Sequence, residues 1–223
     1  MSELQLLLAQ LVKLALIVLL VGMMRRGRVG LCWSFTLYVV AIMLGNGLVT
    51  LAPDRFYTPT FWVLKQGVYD LLKMATGIEL AWRAFSAFPG AWRTARVVLV
   101  VLLLASTLSL AWLTPRSSYL TLWEWQPSVA TAAVWLLTAI ALLVVLYQIP
   151  IGEWQRAIVL GFAPYLLVFV TLLNVLKNRG WAVRSEVGVL DSLAYLALVL
   201  YWAHAAWRRE QPEILAAPVG SLA

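Results

Sequence analysis

The chain has 223 residues, of which 63% are hydrophobic and only 12% charged, with a mean hydropathy of +0.87. Soluble domains carry about twice that charged share, so an ordinary soluble globule is excluded. The net charge of +7 is spread between apolar runs, which is the pattern of membrane topology and not of nucleic-acid binding.

A spanning helix needs about 20 mostly apolar residues. Seven runs meet that need, at Leu4–Met24, Gly30–Leu51, Phe61–Phe88, Ala95–Leu113, Val129–Gln148, Ala157–Leu176 and Gly188–Trp207. Short, Pro-, Gly- and charge-containing connections separate them. Strand-length segments of alternating polarity, which a barrel requires, do not occur. The expected fold is therefore all-α, a polytopic bundle of seven transmembrane helices over residues 1–207 with a short tail at 208–223. The first run lacks a basic leader and is followed by Arg25-Arg26-Gly27-Arg28, so it reads as a retained helix and not a signal peptide.

In chain order, the first run carries Lys13, and the second a Gly45-Asn46-Gly47 patch suited to close helix contact. The third is the most polar, FWVLKQGVYDLLKMATGIELAWRAF. At about 1.5 Å per residue, Asp70 and Lys73 fall near mid-bilayer, on one face by their i,i+3 spacing. The same arithmetic brings Lys13 to their level, giving an expected intramembrane cluster of Lys13, Asp70 and Lys73 with one surplus positive charge. Buried charge is costly and marks a candidate site, either an anion-attracting or proton-handling pocket or an ion pair that fixes packing. The structural alternative is the favoured one. Glu79 and Arg83 form an i,i+4 pair near the inner surface.

The link TPRSSYLTLWEWQPS interleaves Tyr119, Trp123 and Trp125 with few charges, as an interfacial anchor or partner-binding segment does. Gln148 and Asn174 fall near helix ends, and Pro164 is an expected kink. Asp191 is placed to cap the seventh helix. His204 reads as an interfacial residue one turn after Tyr201.

Basic residues orient the bundle. Nine (Arg25, Arg26, Arg28, Arg83, Arg93, Arg96, Arg156, Arg208, Arg209) fall on one side against five (Arg55, Arg116, Lys177, Arg179, Arg184) on the other, which predicts an external N-terminus and a cytoplasmic C-terminus. Of twelve tryptophans only Trp135 lies well inside a run, so this Trp-rich chain is expected to wear an aromatic belt.

The chemistry is bounded by what is scarce. One cysteine, Cys32, forms no intrachain disulfide. One histidine disfavours multi-His zinc and bis-His haem, and a last run without lysine disfavours retinal. No cofactor or metal is expected, and the absence of hydrolase, nucleotide and metalloprotease motifs argues against an enzyme.

The polar third run and the passage LLVVLYQIPIGEWQRAIVLGFAPY resemble, in their order, a family of small bacterial seven-helix membrane proteins. The resemblance covers most of the chain. It implies a multi-pass protein of the bacterial cytoplasmic (inner) membrane and brings no activity with it. Two functions are expected on these grounds. The first is a non-catalytic accessory subunit or receptor-like sensor, whose partners are the lipid bilayer and other membrane subunits. The alternative is a carrier or channel for a small anion or proton built on the Lys/Asp cluster.

Overall fold

The computed structural model describes residues 3–56, 58–86, 134–142, 146 and 151–209. The expected run Ala95–Leu113 lies outside these residues, as does the link holding Tyr119, Trp123 and Trp125. The described elements are all helical: α1 (Glu3–Arg25), α2 (Trp33–Leu51), the short α3 (Pro53–Phe56), α4 (Pro59–Ser86), α5 (Glu153–Arg179) and α6 (Arg184–Trp207), with a further helical stretch at 134–142. Four of them, α1, α2, α5 through Leu176, and α6, are long and apolar enough to cross a membrane.

α1 is apolar on every side. Its buried residues Leu8, Val12, Ala15, Leu16, Leu19 and Met23 form one narrow stripe, while Leu7, Leu11, Leu14 and Val18 stay exposed. That division is the mark of a helix surrounded by apolar medium, with one seam on protein. Glu3 in its first turn and Arg25 in its last complement the helix dipole. Gly27, at φ +65°, ends it in a Schellman turn, with the Arg28 N–H donating to Met23 O at 2.8 Å and the Gly27 N–H to Met24 O at 3.2 Å.

Helix directions follow from cross-contacts. α1 and α6 run parallel, since Gln5 Nε2 donates to Ser185 O at 3.3 Å and Trp207 Nε1 to Val18 O at 3.1 Å. α2 and α4 are antiparallel, with Glu79 at the start of α2 and Tyr69 beside Ala41 and Ile42. Gly45, in the small-residue patch, lies directly against Lys65 and Tyr69, whereas Gly47 faces open space. α5 runs beside α2 and antiparallel to α6.

The core is an aromatic block at one end of the bundle. Phe35 meets Trp154, Phe162 and Trp202 edge-on with centroids 5.6, 6.0 and 4.8 Å apart, the geometry that ring quadrupoles favour. Trp202 is fully buried over Gly161, where a Cβ would stand 2.5 Å from its Nε1. Trp154 and Trp202 thus belong to the core and not to a belt, because α5 and α6 approach closely enough at Gly161 to admit an indole. Trp33, Trp62, Trp82 and Trp135 remain exposed.

Two helices begin four residues ahead of their apolar runs, α5 at Glu153 and α6 at Arg184. α6 does so because the helix continues through a charged first turn that hydropathy discounts. Asp191 is therefore an interior residue, two turns in, and caps nothing. Pro164 lies within a continuous α5.

Candidate functional site

α4 is built inside out relative to a soluble amphipathic helix. Asp70, Lys73 and Thr76 are buried, while Leu64, Val68, Leu71 and Trp82 face outward. The 3.6-residue period collects the polar side chains on one stripe, and that stripe turns to the other helices.

At its centre, Lys73 Nζ donates to Asp70 Oδ1 at 2.9 Å, and both side chains are about 6% exposed. The ammonium also lies 5.4 Å from the Phe169 ring centroid on α5, within cation–π range. Lys13 does not join them. Its side chain extends toward the far end of α2 and donates to Thr50 Oγ1 at 2.9 Å. Equal depth left its direction around α1 undetermined, and a four-carbon stem reaches well past its own level.

Asp191 takes the place assigned to Lys13. It accepts from the Tyr165 hydroxyl at 3.4 Å and lies within electrostatic reach of Lys73. Tyr195, one turn further on α6, stacks obliquely on Tyr165 with centroids 5.4 Å apart. Its buried hydroxyl, beside Tyr38, makes no well-formed hydrogen bond among the described residues. The middle of the bundle therefore gathers Asp70 and Lys73 from α4, Tyr165 from α5, and Asp191 and Tyr195 from α6. Its surplus is one negative charge when all three charged groups are ionised. The signal for Asp191 was present in the sequence as a carboxylate two turns from Arg184, but only with the correct start of α6.

Glu79 and Arg83 form the expected pair, at 2.9 Å. Glu79 does more than pair. Its carboxylate accepts the Ser34 N–H at 2.9 Å and the Trp33 N–H at 3.2 Å, and the Cys32 thiol lies 3.6 Å away. α2 starts without a capping side chain of its own, so α4 supplies one across the bundle.

Arg28 is the counterpart that loop-charge counting missed. It is buried at 4% exposure, lies over Trp154 at 5.5 Å, and donates to Ala205 O at 2.6 Å and Arg208 O at 2.7 Å. A cation on the last carbonyls of α6 satisfies groups that no helix can satisfy internally. Nearby, Arg208 Nε donates to His204 Nε2 at 3.0 Å.

No group of three or more His, Cys, Asp or Glu side chains placed to hold a metal occurs among the described residues. No protein-family model, curated protein or solved structure matches the chain.

Proposed function

We propose that this chain is a seven-span protein of a bacterial cytoplasmic membrane that works without catalysis, as an accessory subunit or receptor-like sensor acting through lateral helix contacts. One observation supports it above the rest: the charges of α4 are engaged by neighbours in the same chain, leaving outward faces that are apolar. Glu79 ties α4 to α2, and Lys73 holds Asp70 and faces α5 and α6. Helices joined inside by polar contacts and smooth outside are suited to lateral packing in lipid.

Direction supports the span count. With α4 crossing, the described helices alternate through α1, α2 and α4, and α5 runs parallel to α2. A crossing of the two apolar runs between α4 and α5 as a pair agrees with these directions. Loop charge favours the N-terminus outside. Labelling a cysteine at position 210, in a Cys32→Ser background, from the cytoplasmic side alone would agree with this. Labelling by an impermeant reagent from outside would overturn it.

Native purification with mass spectrometry of co-purifying chains tests the subunit role. A stoichiometric membrane partner is expected, and a protein recovered alone with unchanged stability would refute it. The second reading, a carrier or channel, gains from the charge count. With Asp191 in the cluster and Lys13 out of it, the proton branch has better support than the anion branch.

A further inference from the structure

Two carboxylates in the middle of the bundle feel the charge of one ammonium, and only one of them is bonded to it. Lys73 Nζ is 2.9 Å from Asp70 and bonded to it, whereas the direct partner of Asp191 is a neutral phenol, Tyr165, at 3.4 Å. Asp191 lies seven residues into α6, about 10 Å along the helix from Arg184, at hydrocarbon depth if α6 spans from its start. A carboxylate there without a bonded cation is expensive, and its least costly resolution is to bind one.

We propose that Asp191 is a reversible proton-binding site of the bundle interior, held by Tyr165 and biased by the Lys73–Asp70 pair. The proton comes from water and returns to it, converting the carboxylate to the neutral acid without breaking any other bond. The groups facing the site come from each helix around it. α4 presents Lys73 with Asp70 behind it, α5 presents Tyr165, α6 itself presents Tyr195, and Tyr38 of α2 lies beside the tyrosines. α1 packs on α6, but its Lys13 is bonded to Thr50. Deprotonation leaves the centre with one net negative charge, which draws Lys73 between two carboxylates on α4 and α6. Proton occupancy thereby changes the attraction between those helices. Such a change serves a sensor and a carrier equally, so failure of the proposal leaves the subunit reading standing.

Infrared difference spectroscopy of the full-length protein in lipid nanodiscs tests it. At neutral pH, where exposed carboxylates are ionised, a carbonyl band of a protonated carboxyl group is expected. Asp191→Asn should remove that band completely, Glu186→Gln at the exposed start of α6 should leave it, and Tyr165→Phe should shift it by removing the hydrogen bond. Absence of the band at every pH, its survival in Asp191→Asn, or its loss in Asp70→Asn instead would overturn the assignment. Should Asp191→Asn fail to fold, Tyr165→Phe decides. A shifted band supports the proposal and an unshifted one refutes it.

Discussion

Charge is handled in opposite ways at the end of the bundle and at its middle. At the end, Glu79 and Arg28 are directed at helix termini, one at the free N–H groups of α2 and the other at the free carbonyls of α6. The partner in each case is backbone held by a helix end, and each side chain binds two such neutral dipoles. In the middle no helix terminates. Backbone groups there are already bonded within their own helices, so among the described residues Lys73, Asp70 and Asp191 turn to one another, the Phe169 ring and the tyrosine hydroxyls. At the end each charge has several fixed partners of its own, whereas in the middle two carboxylates compete for one ammonium.

The largest effect should come from breaking that competition at its shared member. Lys73→Met strands the Asp70 carboxylate and removes the cation that Asp191 would turn to when it loses its proton. Removing one partner of a buried pair commonly costs about 3–5 kcal/mol. Asp70→Asn should cost less, because Asp191 remains to receive the ammonium. Thermal unfolding in detergent should rank Lys73→Met below Asp70→Asn, and Asp70→Asn below wild type. The double variant Asp70→Asn, Asp191→Asn should lose more than the sum of its parts. Additivity would show that the two carboxylates do not share Lys73.

At the end of the bundle the ties are independent, and smaller losses should add. Arg28→Met removes its charge-assisted bonds to the last carbonyls of α6. Those carbonyls end a helix next to exposed Arg208 and can turn to water, so the net loss should be that of one such bond, about 1.5–3 kcal/mol. Glu79→Ala removes the cap of α2, an effect of about 1–2 kcal/mol. The described hydrogen bonds give the two sites no common partner, so the double variant should melt at the temperature that simple addition gives. A coupling as large as that expected between Asp70 and Asp191 would erase the distinction between end and middle.

Much of this arrangement can be read from residues alone, and the failures have a common cause. Apolar runs located α1, α2, α4, α5 and α6 to within a few residues, because solvation by hydrocarbon acts on composition averaged over a whole helix. Rise per residue placed Asp70 and Lys73 together, since i,i+3 neighbours share a face whatever surrounds them. It misplaced Lys13, because depth along α1 says nothing of which neighbour its long side chain reaches. It missed Asp191 because hydropathy started the last run at Gly188, while hydrogen bonding carries the helix back through Glu186 to Arg184. Arg28 was counted as a loop charge, and only the return of the end of α6 to that loop reveals its partners. Properties of one helix were legible; meetings between helices were not.

Packing at Gly161 separates close helix approach from polar ties. A Cβ at this position meets Trp202 Nε1 at 2.5 Å and Leu198 Cδ1 at 2.9 Å, so Gly161→Ala must push α6 away or turn the indole. Overpacking of this kind costs about 1–3 kcal/mol. The change should lower the melting temperature and redshift or broaden the tryptophan emission, while leaving the carboxyl infrared band in place. A loss of that band in Gly161→Ala would mean that the aromatic block at the end controls the polar middle.

The smallest effect is expected at Lys13, and it is the most direct check on which residues make up the middle. Its bond to Thr50 is a single interhelical hydrogen bond, and such bonds within membranes average about 0.6 kcal/mol. If Lys13 were a member of the cluster, Lys13→Met would relieve its surplus positive charge and rescue Asp70→Asn, in which two ammonium groups would otherwise face each other unpaired. With Lys13 on Thr50, the substitution has nothing to relieve. Lys13→Met should therefore shift the melting temperature slightly and by the same amount in the wild-type and Asp70→Asn backgrounds, and Thr50→Val should reproduce most of that shift. A rescue of Asp70→Asn by Lys13→Met would return Lys13 to the centre of the bundle, restore a positive surplus there, and favour an anion over a proton as its guest.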